Sequence, residues 1–170
     1  MIDWISQNAQ TVIAISAIII SVISLAVAIV ALYTQRKHNK LSVKPIPHFS
    51  KGDYENHIFV KIKNYGLGPL KIENFEIKKN KSTFKRLIDS FDGLASKVTW
   101  ETFTDDIEGR VLAPQKEFVL IQASFTSEQN DIKQAIRESL AKTTLTIQSS
   151  CVYNEKQPEV KEELTWFARH

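Results

Sequence analysis

The chain is poor in the residues that define several protein classes. Its 170 residues include one cysteine, five glycines and five prolines. A single cysteine excludes a disulfide-stapled scaffold, and the low glycine and proline contents exclude collagen and proline-rich disorder. Phosphate loops, dinucleotide-binding turns and paired-cysteine zinc motifs are missing from the sequence as well. We therefore expect a protein without enzymatic activity, cofactor or metal.

Charge is absent from residues 11–33, which also contain no proline and no glycine. A helix of that length spans roughly 34 Å, enough to cross the ~30 Å hydrocarbon core of a bilayer. Trp4 and Tyr33 flank the run, as aromatic residues at membrane interfaces do. The alternative is a cleaved secretory signal, which begins with basic residues and has a shorter apolar core. Because no Lys or Arg precedes the run, the sequence predicts a transmembrane signal anchor.

The basic residues beside this run lie only on its C-terminal side, at Arg36, Lys37 and Lys40. The positive-inside rule then places the N-terminus outside the cell and the C-terminal part in the cytoplasm. We predict a single-pass protein of the inner (cytoplasmic) membrane. Its predicted segments are a short extracytoplasmic N-terminus (1–10), the transmembrane helix (11–33), a basic juxtamembrane linker (34–47) and a cytoplasmic domain (48–170).

Small residues recur along the apolar run with alternating spacings of three and four. This small-residue seam consists of Ala14, Ala17, Ser21, Ser24, Ala28 and Ala31. Transmembrane helices associate through close approach at small residues, and a 3.5-residue repeat keeps one seam facing a left-handed partner helix. The pattern predicts self-association through this helix. The alternative is an anchor that is merely rich in Ala and Ser.

The remainder of the chain alternates mainly with the period of β-strands. Apolar residues at positions 58, 60 and 62 share one face, and residues 70–79 form a second strand with a bulge near residues 73–74. Residues 82–94 have helical spacing, and a capping box at Thr126 begins a second helix. We predict an N-terminal transmembrane α-helix and a mainly-β domain, an antiparallel β-sandwich with two short inserted helices.

A hairpin motif carries a resemblance to a known kind of protein. The run VKIKNYGLGPLKI at residues 60–72 resembles the "N-x-G-x-G-P" hairpin of small bacterial single-pass membrane proteins with an immunoglobulin-like domain. Residues 111–120 are similar to a later turn and strand of such domains, with Gln115 where glycine is frequent. The resemblance covers most of residues 42–167 and implies an immunoglobulin-like fold and an anchor, but no reaction. The motif residues that fix the turn are Asn64, Gly66, Gly68 and Pro69; we expect the glycines to supply positive φ angles.

Positive charge is concentrated in one part of the predicted domain. Residues 44–97 hold eleven basic and six acidic residues, whereas residues 98–170 hold eight basic and twelve acidic residues. The pattern indicates either a solvated face or a patch for anionic lipid or an anionic ligand. The patch residues are Lys61, Lys63, Lys71, Lys78, Lys79 and Lys81. Nucleic acid is not expected as a partner, because aromatic residues for base stacking are sparse there.

Two hypotheses of function remain. The first is a membrane-anchored cytoplasmic binding module without catalytic activity, whose partners are the lipid bilayer and a protein that the sequence does not identify. The second is an oligomeric membrane effector of a bacterial defence-type system, whose domain senses a ligand such as a nucleotide messenger. The small-residue seam and the basic half of the domain favour the second hypothesis.

Overall fold

The N-terminal unit is one long helix. The computed structural model describes residues 8–169 and divides the chain into two compact units, one ending at Ser42 and the other beginning at Val43. The helix α1 (Ala9–Ser42) has 34 residues, and its most apolar 18-residue window has a mean hydropathy of 2.9. It is long and apolar enough to cross a membrane. Trp4 lies outside the described residues.

Helix α1 continues through residues 34–42, which we predicted as part of the linker. The physical reason is that Gln35, Arg36 and Lys37 are good helix formers, and no proline or glycine follows Tyr33 until Pro45. Only residues 43–46 therefore separate the helix from the first strand of the domain.

The second unit is built from nine strands in two antiparallel sheets. The strands are β1 (Pro47–Tyr54), β2 (His57–Asn64), β3 (Leu70–Lys79), β4 (Ser82–Phe84), β5 (Trp100–Phe103), β6 (Val111–Leu112), β7 (Glu117–Ser124), β8 (Thr143–Ser150) and β9 (Val160–Glu163). The first sheet has the order β1-β2-β7-β5, and the second has the order β4-β3-β8-β9, with β6 pairing with β3. A long apolar N-terminal helix and a domain of two antiparallel sheets thus confirm the coarse prediction.

Alternation along the strands creates the core. In β2 the even-numbered residues are buried, and Ile58, Val60 and Ile62 are at most 1% exposed. Buried residues of both sheets, such as Ile62 and Ile77, belong to a single hydrophobic cluster. The predicted bulge in β3 is confirmed, because the register between β3 and β8 shifts between Ile72 and Asn74.

Residues 82–94 do not form the single helix that we predicted. They form strand β4, followed by a 3-10 helix, Leu87–Phe91. Asp92 and Gly93 then adopt left-handed φ angles of 45° and 84°, which ends the helical segment. Leu87 and Phe91 are nevertheless buried. The helical spacing therefore indicated correctly which of these side chains face the core, but not the type of secondary structure.

The second helical segment matches its sequence signal more closely. The capping box at Thr126 is present and opens a short 3-10 turn. The helix α2 (Asn130–Ala141) follows, with Ile136 and Leu140 fully buried. After β9 ends at Glu163, a 3-10 helix, Leu164–Arg169, packs Leu164 and Phe167 into the core.

Asn64 joins the segments at one end of the domain. It is completely buried, and its Oδ1 accepts hydrogen bonds from the backbone N–H groups of Ile46 (3.1 Å) and Gly66 (3.0 Å). Its Nδ2 donates to the carbonyl oxygens of Gly68 (2.8 Å) and Leu112 (3.3 Å). One amide therefore holds the entry of the chain, the turn after β2 and strand β6 together.

The two glycines of this turn are required by close contact and not by positive φ angles, which corrects our expectation. A Cβ atom on Gly66 would lie 2.3 Å from the carbonyl oxygen of Lys44. A Cβ atom on Gly68 would lie 1.8 Å from the carbonyl oxygen of Val43. The backbone of residues 43–46 therefore lies directly on the turn. Gln115, where glycine is frequent in the resembling domains, does adopt a positive φ of 59°.

We expect Asn64→Ala to lower the free energy of unfolding of the domain by about 3 kcal/mol or more, because it leaves four backbone groups without their partner. Chemical denaturation of the full chain in detergent, followed by near-UV circular dichroism, measures this change. Asn74→Ala is the matched control on an outward-facing position, with an expected change within about 0.5 kcal/mol. Equal stability of the two variants would contradict the role assigned to Asn64.

Candidate functional site

The outer face of the second sheet is polar across three neighbouring strands. In β3 and β8 the residues that alternate with the buried ones are charged residues, threonines and amides. Pairing between the strands aligns them in rows. One row joins Asn74 to Gln148, the next joins Glu76, Thr146 and Lys161, and the third joins Lys78, Thr144 and Glu163.

Two open grooves cover this face and its edge. The first, of about 630 Å³, lies over β3, β8 and β9, and the second, of about 710 Å³, lies where β8 runs into the loop before β9. Gln148 and Glu159 line both grooves, and the Gln148 Nε2 donates to the Glu159 Oε2 over 2.8 Å. The two grooves therefore form one continuous polar surface, which we call the sheet groove.

The sheet groove carries both signs of charge. Five lysines and three glutamates line it: Lys71, Lys78, Lys142, Lys156, Lys161, Glu73, Glu76 and Glu159. Some are paired with each other, as are Lys78 and Glu76 at 2.8 Å and Lys71 and Glu73 at 3.0 Å. A surface with this alternation can pair with a polar segment that also carries both signs.

Hydrogen bonding organises the loop end of the sheet groove. The Ser150 Oγ donates to Glu73 at 2.5 Å, and this bond, with the neighbouring Lys71, lowers the pKa of the Glu73 carboxyl. The neighbouring Ser149 pairs with the buried Ile72 and lies on the inward side of β8, and its buried hydroxyl oxygen has no hydrogen-bond partner among the described residues.

The six lysines predicted as an anion or lipid patch do not form one surface. Lys61 and Lys63 lie on the outward side of β2 in the first sheet, whereas Lys71 and Lys78 lie on the outward side of β3 in the second sheet. Because the two sheets share one core, their outer faces point away from each other. Lys81 is exposed in the turn between β3 and β4.

Several of these lysines are also occupied by partners. The Lys61 Nζ lies 2.8 Å from the Glu117 carboxylate, and Lys63 packs over the ring of Tyr65 at 4.7 Å. Lys79 points inward, is 8% exposed and donates to the Ser90 carbonyl oxygen at 2.5 Å and to Asp92. The sequence did not reveal these placements, because consecutive residues of a strand, such as Lys78 and Lys79, point to opposite faces of the sheet.

A buried ion cluster was not predicted from the sequence. The Asp53 side chain is 0% exposed, and its two oxygens accept from the Arg137 Nε (2.6 Å) and Nη2 (3.0 Å). The Lys133 Nζ lies 3.2 Å from the same carboxylate and donates to the carbonyl oxygen of Glu55 at 2.8 Å. Burial raises the pKa of the Asp53 carboxyl, but the hydrogen bonds and charges of Arg137 and Lys133 outweigh it, so the net pKa is lowered. The cluster fixes helix α2 to the β1–β2 turn.

The small-residue seam lies on the exposed surface of α1, where all of its members are solvent-facing in the single chain. The Ser21 Oγ returns to the Ala17 carbonyl oxygen at 2.7 Å, as the off-seam Ser16 Oγ returns to that of Val12 at 2.7 Å. Ser24 forms no hydrogen bond of this kind within the described residues. Tyr33, Arg36, Lys37 and Lys40 lie on the same continuous helix.

Other polar residues do not assemble into a reactive centre. Among residues 8–169 there is no group of three or more His, Cys, Asp or Glu side chains placed to hold a metal ion. Two members of the acidic loop after β5 form ion pairs, Glu108 with Lys85 (2.5 Å) and Asp105 with Arg86 (3.2 Å). Cys151 is buried.

Comparison with known proteins adds no relative: no family model, no curated protein and no solved structure matches this chain.

We expect Asp53→Asn to destabilise the domain by about 3–5 kcal/mol, because it leaves the buried Lys133 and the half-buried Arg137 without their carboxylate. Glu138→Gln, on the exposed face of helix α2, which carries Lys133 and Arg137, should change stability little. In the native chain the lowered pKa of Asp53 contributes stability above the unfolded-state value, near pH 4. This contribution is lost as the pH falls through the folded-state pKa. Unfolding midpoints measured from pH 7 to pH 3 check both statements; a flat profile that matches Asp53→Asn would contradict them.

Proposed function

We propose that this chain is a membrane-anchored binding module without catalytic activity. The observation that carries the proposal is the combination of a 34-residue apolar helix with a separately packed domain that has a continuous polar groove on one sheet. The helix supplies the anchor, and the sheet groove supplies the binding surface.

The anchor is a single-pass transmembrane helix of the inner membrane, with the N-terminus outside and the domain in the cytoplasm. Support for this orientation comes from Arg36, Lys37 and Lys40, which extend the helix beyond Tyr33 as polar turns at the level of the lipid headgroups. Basic residues flank the apolar run on its C-terminal side only. The proposed orientation therefore depends on this one positive flank.

The domain has an immunoglobulin-like fold in this proposal. Support comes from the strand order: a sheet β1-β2-β7-β5 corresponds to A-B-E-D, and β3-β8-β9 corresponds to C-F-G of a constant-type domain. Strand β4 then adds to the C edge of the second sheet, and α2 lies in the connection between E and F. Such domains bind partners through loops and sheet faces without a reaction centre.

The binding partner of the sheet groove is a protein segment that carries both signs of charge and hydrogen-bonding side chains. Five lysines and three glutamates set this preference, and a purely anionic ligand would meet Glu73, Glu76 and Glu159.

A second candidate function is an oligomeric membrane effector whose domain senses a ligand such as a nucleotide messenger. One observation favours the oligomeric part: among the described residues, the Ser24 hydroxyl on the small-residue seam forms no hydrogen bond to its own helix, whereas the hydroxyls of Ser16 and Ser21 do. The split of the basic residues between two sheet faces weakens the case for a nucleotide ligand.

The orientation predicts the behaviour of reporters fused after His170. A phosphatase that is active only outside the cytoplasm should be silent, and a fluorescent protein that folds only inside should fluoresce. Replacing Arg36, Lys37 and Lys40 together by Gln should reduce this bias, because the positive flank is its cause. An active phosphatase on the unmodified chain would refute the cytoplasmic placement of the domain.

The sheet groove predicts a position-specific crosslink. A photo-crosslinking amino acid at Thr146, in the middle of the groove, should capture a partner in cells, whereas the same amino acid at Ser50, on the outer face of the first sheet, should not. Lys78→Glu combined with Lys161→Glu should abolish the capture at position 146, since it reverses two charges of the groove. Capture that is equal at both positions, or unaffected by charge reversal, would contradict the proposal.

The small-residue seam predicts that bulk at Ser24 blocks association. Ser24→Leu should lower the signal of a membrane two-hybrid assay severalfold, mainly through steric exclusion, since one interhelical hydrogen bond averages only about 0.6 kcal/mol. Ser16→Leu is the matched control, because it makes the same change in the same helix at an off-seam position. Equal signals from the two variants would show that the spacing of small residues has no role, and the effector function would lose its support.

A further inference from the structure

The strand directions define two ends of the domain. Strand β1 begins at Pro47 opposite the last residue of β2, Asn64, and β3 begins at Leu70 opposite Leu112 of β6. Strand β8 ends beside Lys71. The entry of the chain, the turn at residues 64–69, the segment before β7 and the loop at residues 151–159 therefore share one end, which we call the entry end.

Exposed apolar side chains are concentrated at the entry end. Among the described residues of the domain, eight large apolar side chains are classed as exposed, and six of them belong to entry-end segments. These six are Ile46 (54% exposed), Tyr65 (46%), Leu67 (71%), Val111 (56%), Val152 (55%) and Tyr153 (47%). The opposite end contributes Tyr54, and Phe103 lies on the edge strand β5. Most of the exposed apolar side chains of the domain therefore lie at one of its two ends.

The entry of the chain is fixed within the domain. Besides the contacts of Gly66 and Gly68 with residues 43–46, the Tyr65 N–H donates to the Ile46 carbonyl oxygen at 2.9 Å. Since Val43 follows Ser42 directly, no free linker separates the end of α1 from these contacts. Along the chain, the entry end therefore begins directly after the last residue of α1.

The length of α1 sets how far the entry end stands from lipid. With residues 11–33 in the hydrocarbon core, the nine helical residues after Tyr33 rise about 14 Å along the helix axis. The headgroup layer accounts for about 5–8 Å of that rise. The remaining few ångströms are comparable with the reach of a tyrosine or leucine side chain, and tilt of the helix reduces them further.

Charge at this end is of both signs and does not by itself select a surface. The exposed charged residues of the entry-end segments include Lys44, Arg110, Lys116, Lys156, Glu155 and Glu159. Apolar side chains with two tyrosines match the chemistry of the bilayer interface, where tyrosine is enriched.

We propose that the entry end rests on the bilayer, with Leu67, Ile46 and Val152 in contact with the headgroup region. The contact is apolar and therefore tolerates high salt. It rests on the proposed anchor, and it adds a second, peripheral membrane contact.

The full chain in nanodiscs tests this contact. In a Cys151→Ser background, an environment-sensitive fluorophore is attached at Leu67→Cys, at Val152→Cys or, as the control, at Tyr54→Cys on the opposite end. Nanodiscs of phosphatidylcholine with a spin label near the headgroup supply the quencher. Quenching at positions 67 and 152 should exceed quenching at position 54 severalfold, and it should persist in about 1 M NaCl, where the Debye length is about 3 Å.

Equal quenching at the three positions, or loss of the difference in salt, would overturn the proposal. Nanodiscs that hold one chain each exclude contact with a second copy. A blue shift of the fluorophore without quenching would place these side chains against protein instead of lipid, and it would also overturn the proposal. Co-purification of the chain with the nanodisc reports the anchor independently. Failure of the proposed anchor is thus distinguishable from failure of the lipid contact.

Discussion

The amide of Asn64 is the interaction on which the rest of the domain depends. Four backbone groups from three separate segments use its two polar atoms, and its own backbone N–H and C=O bond to Lys116 and Gln115. Neither aspartate nor leucine offers two acceptor and two donor positions in this geometry. The Asn64 side chain thus links β2 of the first sheet to β6 of the second sheet. The absence of side chains at Gly66 and Gly68 allows residues 43–46 to approach Asn64 closely.

Local periodicity predicted more of the fold than of the surface. The strands β2 and β3, the bulge in β3 and the capping box at Thr126 were predictable because each depends on residues within a few positions of one another. The prediction of one helix over residues 82–94 was wrong, because β4 pairs with β3 and because Asp92 and Gly93 take left-handed angles. The Asp53–Arg137 pair was equally hidden, because 84 positions separate its members.

Folding pairs the two oppositely charged segments of the sequence in part. Residues 44–97 meet residues 98–170 at Lys61 with Glu117, Lys85 with Glu108 and Arg86 with Asp105. Other lysines of the basic segment pair with acidic residues of the same segment. The sheet groove could not have been predicted either, because its rows combine three strands whose register is set by tertiary pairing.

The order of the strands has a consequence for synthesis of the protein. Strand β2 ends at Asn64, but its second neighbour, β7, is complete only at Ser124. At about 5–20 residues per second, the ribosome needs roughly 3–12 s to add that stretch. Through this interval the apolar inner side of β2 lacks one of its two partner strands. Lysines at alternate positions of β2, Lys61 and Lys63, keep such a strand from pairing with another chain before β7 arrives.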